Sequence, residues 1–237
     1  ESGAPFVYGN ITDIEGGALY GTQHAIVTEL FNNGDMAAHH VHAAVTTDSE
    51  YVTAYESNFT IDEMTANSSE TFEQGGLIDI ADNIPDQTIF TLMLTTSSDE
   101  TNDNTTQRSF LALAPNLQFV NAEIEEAQGD NNGYVDPGEH AIIHITGHNI
   151  GHALAPDTYL TVSCVGEGLH FEETTYQLGE IDIDSTFTVD INLSTDLDII
   201  SGTTYHLDLC LYTGAYATHL DYAMAVGVAL ADRKSVV

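Results

Sequence analysis

Positive charge is nearly absent from this 237-residue chain: 37 Asp and Glu face three basic residues, Arg108, Arg233 and Lys234, for a formal net charge of −34 with histidine neutral. So acidic a surface repels phosphate backbones and anionic headgroups, which recruit Lys and Arg, and nucleic acid is excluded as a partner. Tryptophan is missing altogether, which disfavours carbohydrate binding, although 11 Tyr leave some aromatic surface. No apolar run approaches the roughly 20 residues of a membrane helix, so no membrane insertion is expected. Two cysteines are too few for a disulfide scaffold. The chain opens at Glu1 without an initiator Met and stops at Val237, and the expectation is a piece of a longer parent.

What is present is order. With 42% hydrophobic residues and regular turn signals the chain suits two domains of about 110–120 residues, each with its own core. Self-similarity at a period of about 116 residues supports this. His24-Ala25-Ile26-Val27 matches His140-Ala141-Ile142-Ile143, and Phe31-Asn32-Asn33-Gly34 matches His148-Asn149-Ile150-Gly151. Val41 to Val45 then matches Thr158 to Val162, Phe72 matches Phe187, and Thr88 to Leu94 matches Thr203 to Leu209. Within each copy, apolar residues alternate over short runs rich in Val, Ile, Thr, Tyr and Phe, broken by Asn, Asp, Gly and Pro. About seven strands per copy and no amphipathic helix predict two tandem immunoglobulin-like antiparallel β-sandwiches, residues 1–116 and 117–237, an all-β chain.

Asp130-Asn131-Asn132-Gly133-Tyr134-Val135-Asp136-Pro137-Gly138-Glu139 is the most specific motif. Oxygen side chains two apart on a Gly-containing turn can converge on one hard cation, as Ca²⁺ with its six to eight oxygens requires. The expected ligands are Asp130, Asn132, Asp136 and Glu139 through side chains and Tyr134 through its carbonyl, with Glu125 or Glu126 as a further donor from upstream. Acidic turns use the same residues without a metal, so both readings stand at this point. The first copy, Asp13 to Gln23, lacks the alternating oxygens and has Gln23 opposite Glu139; no ion is expected there.

The Asp-x-Asn-Gly and Asp-Pro-Gly-Glu elements, the strand Ala141 to Thr146 and Asn149-Ile150-Gly151 resemble the immunoglobulin-like modules that follow the catalytic domain in gingipain-like cysteine peptidases of the Bacteroidetes. The first copy keeps only Ala25 to Leu30 and Asn32-Asn33-Gly34. That resemblance implies a secreted or cell-surface multidomain parent, in which this piece is a scaffold or spacer beside a peptidase catalytic domain or other surface proteins. A cell-surface adhesin, or a protein- or carbohydrate-binding module, is the alternative.

No active site assembles from the remaining residues. Alternation turns Cys164 toward the apolar face and places Cys210 with His206 and Asp208, so a disulfide across the core is disfavoured and free thiols are expected. A cysteine nucleophile needs an adjacent imidazole, and Cys210 has only His206 near it in sequence, on the same strand face. No nucleophile elbow or glycine-rich phosphate loop occurs, and the fragment is read as no enzyme. His39-His40-Val41-His42 puts His40 and His42 on one outward face, either a solvated patch or an imidazole metal site. Arg108 is expected to be shielded by strand pairing, with Arg233-Lys234 an open processing point for a trypsin-like protease.

Overall fold

The structure is a computed structural model that describes residues 3–55 and 57–227, every element a strand or turn and no helix among them. Among the described residues no helix is long and apolar enough to cross a membrane. Arg233 and Lys234 lie outside the described residues. The chain divides into two compact units between Ala114 and Pro115.

The first unit contains β1 (Val7–Ile14), β2 (Gln23–Asn32), β3 (Ala38–Thr46), β4 (Val52–Tyr55), β5 (Asn58–Met64), β6 (Ser68–Phe72), β7 (Leu77–Ile80), β8 (Ile89–Ser97) and β9 (Asn104–Leu111). One sheet has the order β1-β2-β7-β4 with β6 also on β2, and the other β5-β3-β8-β9. The second unit contains β10 (Leu117–Gln128), β11 (His140–Asn149), β12 (Ala155–Cys164), β13 (Leu169–Phe171), β14 (Thr175–Ile181), β15 (Thr186–Thr195), β16 (Thr204–Thr213) and β17 (Tyr216–Ala225). Its sheets are β10-β11-β15-β13 and β14-β12-β16-β17. All pairings within these sheets are antiparallel.

Each unit is a sandwich because the period-two pattern gives both sheets an aliphatic face that must leave water. Leu92 and Leu94 in β8, like Leu207 and Leu209 in β16, are fully buried and meet the facing sheet's Ile26 and Leu30, or Ile143 and Ile191, in one continuous core per unit. Removing such a side chain to Ala costs about 2–5 kcal/mol.

Buried asparagines fix the correspondence between the units. Asn149 Oδ1 accepts from the amides of Asn116 and Gly151, while Nδ2 donates to the carbonyls of Ala153 and Ile181. Asn32 makes the same set with Phe6, Gly34, Met36 and Met64. The Asn-x-Gly spacing is thus a tied corner, and at Gly34 a Cβ would fall 2.2 Å from the Ala4 carbonyl.

Counting from those corners corrects two matches made on the sequence. Ile26 is the counterpart of Ile143, since Ile14 pairs with Ile26 and Ile124 with Ile143. Phe72 lies opposite Thr28 whereas Phe187 lies opposite Gly147, so Val189, opposite Ile145, takes the place of Phe72. The slip at Ile26 is one residue and swaps the faces, Ile143 being buried where Ile142 is not, whereas the slip of two at Phe72 keeps the same face and alternation alone cannot detect it. The first unit also splits what is one strand in the second: β6 and β7 replace β15, both pairing with β2, and the break between them falls at Gly75-Gly76, which bond Ile26 of β2 while Gly76 takes a φ of +143°.

Candidate metal site

The β10–β11 hairpin is where the two sandwiches differ most. Main-chain bonds equate Ala18 with Val135, whose carbonyls accept from Leu113 and Gly227, and Thr22 with Glu139, whose carbonyls accept from Ile80 and Thr195. Thr22, not Gln23, therefore occupies the place of Glu139. Residues 15–17 separate Ile14 from Ala18, whereas residues 125–134 separate Ile124 from Val135. The second unit has gained an acidic insertion on a shared frame.

Within it, carboxylate oxygens of Glu126, Asp130 and Glu139 all lie within 4.8 Å of one another. Glu126 comes from the end of β10, Asp130 from the turn and Glu139 from the residue before β11. Main-chain amides aim at the two glutamates: Asn131 and Gly133 donate to Glu126 at 2.7 and 3.2 Å, Asp130 and Asp136 to Glu139 at 3.1 and 2.8 Å. Asn131, at φ +60°, and Gly133, at φ +81°, give the turn the left-handed geometry that points these amides inward. Thr195 of β15 ties the loop down, accepting from Gly138 and Glu139 and donating to the Asp136 carbonyl.

Of the residues singled out on the sequence, Asp130 and Glu139 meet here, with Glu126 as the third corner. Asp136 is not one of the clustered carboxylates; its Oδ2 accepts from Asn132 Nδ2 at 2.8 Å. Asn132 Oδ1 accepts from the amide of Tyr134 at 2.8 Å, a bond that shapes the turn. Glu125 points to the other side and lies 3.2 Å from His144 Nε2.

Three like charges so placed repel, by about 1 kcal/mol per pair in water-like surroundings and about 3 kcal/mol at a protein surface. No Lys or Arg lies between Arg108 and Arg233 to offset them. Each carboxylate oxygen keeps a lone pair beyond its amide bond, so the group fits a hard cation by donor type and by spacing.

The histidine cluster is arranged differently. His40 has a φ of +46°, as does Asp157 at the matching place in the second unit, and this left-handed residue breaks the alternation so that His39 and His40 are both exposed. His39 Nδ1 lies 2.6 Å from Glu100, and His40 Nδ1 lies 2.7 Å from Asp99. The bond to Glu100 raises the His39 pKa, and the His39 amide and ring pull Glu100 down to about 2. These are ion pairs, each imidazole facing its own carboxylate.

Both cysteines are free, Cys164 packing against the core and Cys210 on the outer face of its sheet. The imidazole beside Cys210 is His219 of β17, at 3.4 Å, and not His206, which pairs with Asp221. That contact crosses between strands and leaves no trace in local spacing.

No family model matches the sequence, and no curated protein does. Among solved structures, the crystal structure of red sea bream transglutaminase is similar at a TM-score of 0.36 and 11% identity, over 94% of this chain and 31% of that chain.

Proposed function

We propose that the chain is a non-catalytic pair of immunoglobulin-like sandwich modules, a scaffold or spacer in a secreted multidomain protein of the gingipain-like peptidase type. In this reading a Ca²⁺ ion in the second module stiffens the β10–β11 hairpin. The observation that supports it is the contrast between the copies: one frame, tied by the same asparagine corner, with a carboxylate cluster inserted at a single hairpin. Glu126, Asp130 and Glu139 would hold the ion, and it would supply the positive charge that the sequence lacks.

An ion that binds only the folded state raises its stability by mass action. Excess Ca²⁺ should therefore raise the melting midpoint of the full chain relative to chelator, and Glu139→Gln should erase the difference. Equal midpoints in the parent chain would end the calcium reading. Incubation with casein, and with short Arg- and Lys-containing peptides, should release no product above a buffer blank; turnover lost in Cys210→Ser would overturn the non-catalytic reading.

An adhesin or protein-binding module is the second reading. Val165, Leu197 and Ile200 are 101%, 86% and 80% exposed, on the loops that follow β12 and β15. Exposed aliphatic side chains on neighbouring loops are what a protein contact would use.

A further inference from the structure

The outer face of β16 and β17 carries a group of side chains that the calcium reading leaves unused. Cys210 and His219 are direct cross-strand partners, with Sγ 3.4 Å from Nε2. On the other side of the ring, His219 Nδ1 lies 3.4 Å from Asp208 Oδ1. The cysteine is 2% exposed, while the His219 and Asp208 side chains are largely open to solvent.

The fold does not demand these residues. In the first unit the same strand pair is β8 and β9, and the equivalence of Leu94 with Leu209, both opposite a buried valine of the neighbouring strand, puts Thr95 at the place of Cys210. Its cross-strand partner is Thr105, the two hydroxyls are 2.9 Å apart, and Met93 stands where the second unit has Asp208. A plain hydroxyl pair thus satisfies the scaffold. Thiol, imidazole and carboxylate together are an addition made in one copy.

Nucleophilic chemistry is not what the arrangement favours. Burial, first of all, pushes the Cys210 thiol pKa up, which withholds the thiolate. In addition, β16 is laddered to β12 on one side and β17 on the other, so the amides around Cys210 are committed to the sheet and cannot cradle an oxyanion.

We propose that Cys210 Sγ and His219 Nε2 are two ligands of a site for a borderline divalent ion of the Zn²⁺ class, with Asp208 orienting the ring from Nδ1. Bond lengths of about 2.3 Å to sulfur and about 2.0 Å to nitrogen, at a tetrahedral angle, set the ligand atoms about 3.5 Å apart. The observed 3.4 Å is close to that separation, so an ion can replace the S–H···N contact with little strand movement. Asp208 supplies the carboxylate that metal-bound histidines usually hold through their second nitrogen, which frees the Nε2 lone pair. On binding, the S–H bond breaks, the proton leaves to solvent and an S–metal bond forms; nothing is oxidised or reduced. Water completes the shell. The all-oxygen cluster of Glu126, Asp130 and Glu139 suits a hard ion, so the two sites sort metals by ligand softness.

Cadmium is the probe, because its bond to a thiolate gives an ultraviolet charge-transfer band that carboxylates do not. The reduced full chain, with excess Ca²⁺ present, is titrated with Cd²⁺. One equivalent should develop the band; Cys164→Ser should keep it and Cys210→Ser should lose it. His219→Ala should weaken the apparent affinity at least tenfold, and Asp208→Asn by about 10–100-fold. The double variant C210T/H219T, which copies the Thr95–Thr105 pair, should fold with an unchanged circular dichroism spectrum and show no band. No band in the parent chain, a band that follows Cys164, or an affinity unmoved by His219→Ala would each overturn the proposal.

Discussion

Asn149 is fully buried, yet each of its four hydrogen-bonding positions is used, two as donor and two as acceptor. Full satisfaction is what makes a polar group tolerable in a core; an orphaned one costs about 1–3 kcal/mol. Thr28 is the contrasting case. Its hydroxyl is buried without a partner, and Ile145, wholly apolar and equally buried, takes the same place in the second unit. Thr28→Val keeps the shape and removes the unpaired oxygen, so it should stabilise the chain by about 1 kcal/mol, measured by urea unfolding at constant slope. A lower midpoint would show that the hydroxyl is bonded after all.

At the scale of elements, strands were legible because each sheet has one wet and one dry face, which writes a period of two into the chain. Phe90, Leu92 and Leu94 of β8 match Tyr205, Leu207 and Leu209 of β16 in the sequence and in the register of the sheets alike. At Phe72 the sequence match is two residues out, because its strand is broken at Gly75-Gly76 in one copy and continuous in the other. His40 and His42 are both exposed with Val41 buried between them, as alternation predicts; that His39 is exposed too follows from a backbone angle, φ +46° at His40, that no side chain announces. Asp130 and Glu139 stood out in the hairpin through local spacing. Glu126 was only one of two upstream options, since which of two adjacent glutamates faces the turn depends on the register shift between Glu126 and Gln128. His219 was invisible as a partner of Cys210, being brought beside it by pairing across the β16–β17 turn.

For the whole molecule, the 11 histidines outnumber the three Lys and Arg. Among the described residues His39, His40, His144, His148, His170, His206 and His219 lie within ion-pair distance of Asp or Glu. Bonds to Glu100, Asp99 and Asp190 raise the pKa of His39, His40 and His144. A raised histidine contributes stability that is fully present below its unfolded value of 6.5 and is lost as pH climbs through the folded one. Glu100 works in the opposite direction, its contribution present above 4.5 and lost as pH falls toward about 2. The melting midpoint should therefore be higher near about pH 5.5 than near about pH 8, and Glu100→Gln should shrink that difference; a midpoint level across the range would count against the imidazole pairs. The same scale governs how the first unit answers tension. Its first and last strands, β1 and β9, run side by side in the same direction, joined by bonds from Asn104 to the Val7 carbonyl, Thr106 to Gly9 and Arg108 to Ile11. Force applied to opposite ends of two such strands slides one along the other and loads every rung together, where a hairpin pulled open would surrender its rungs one by one.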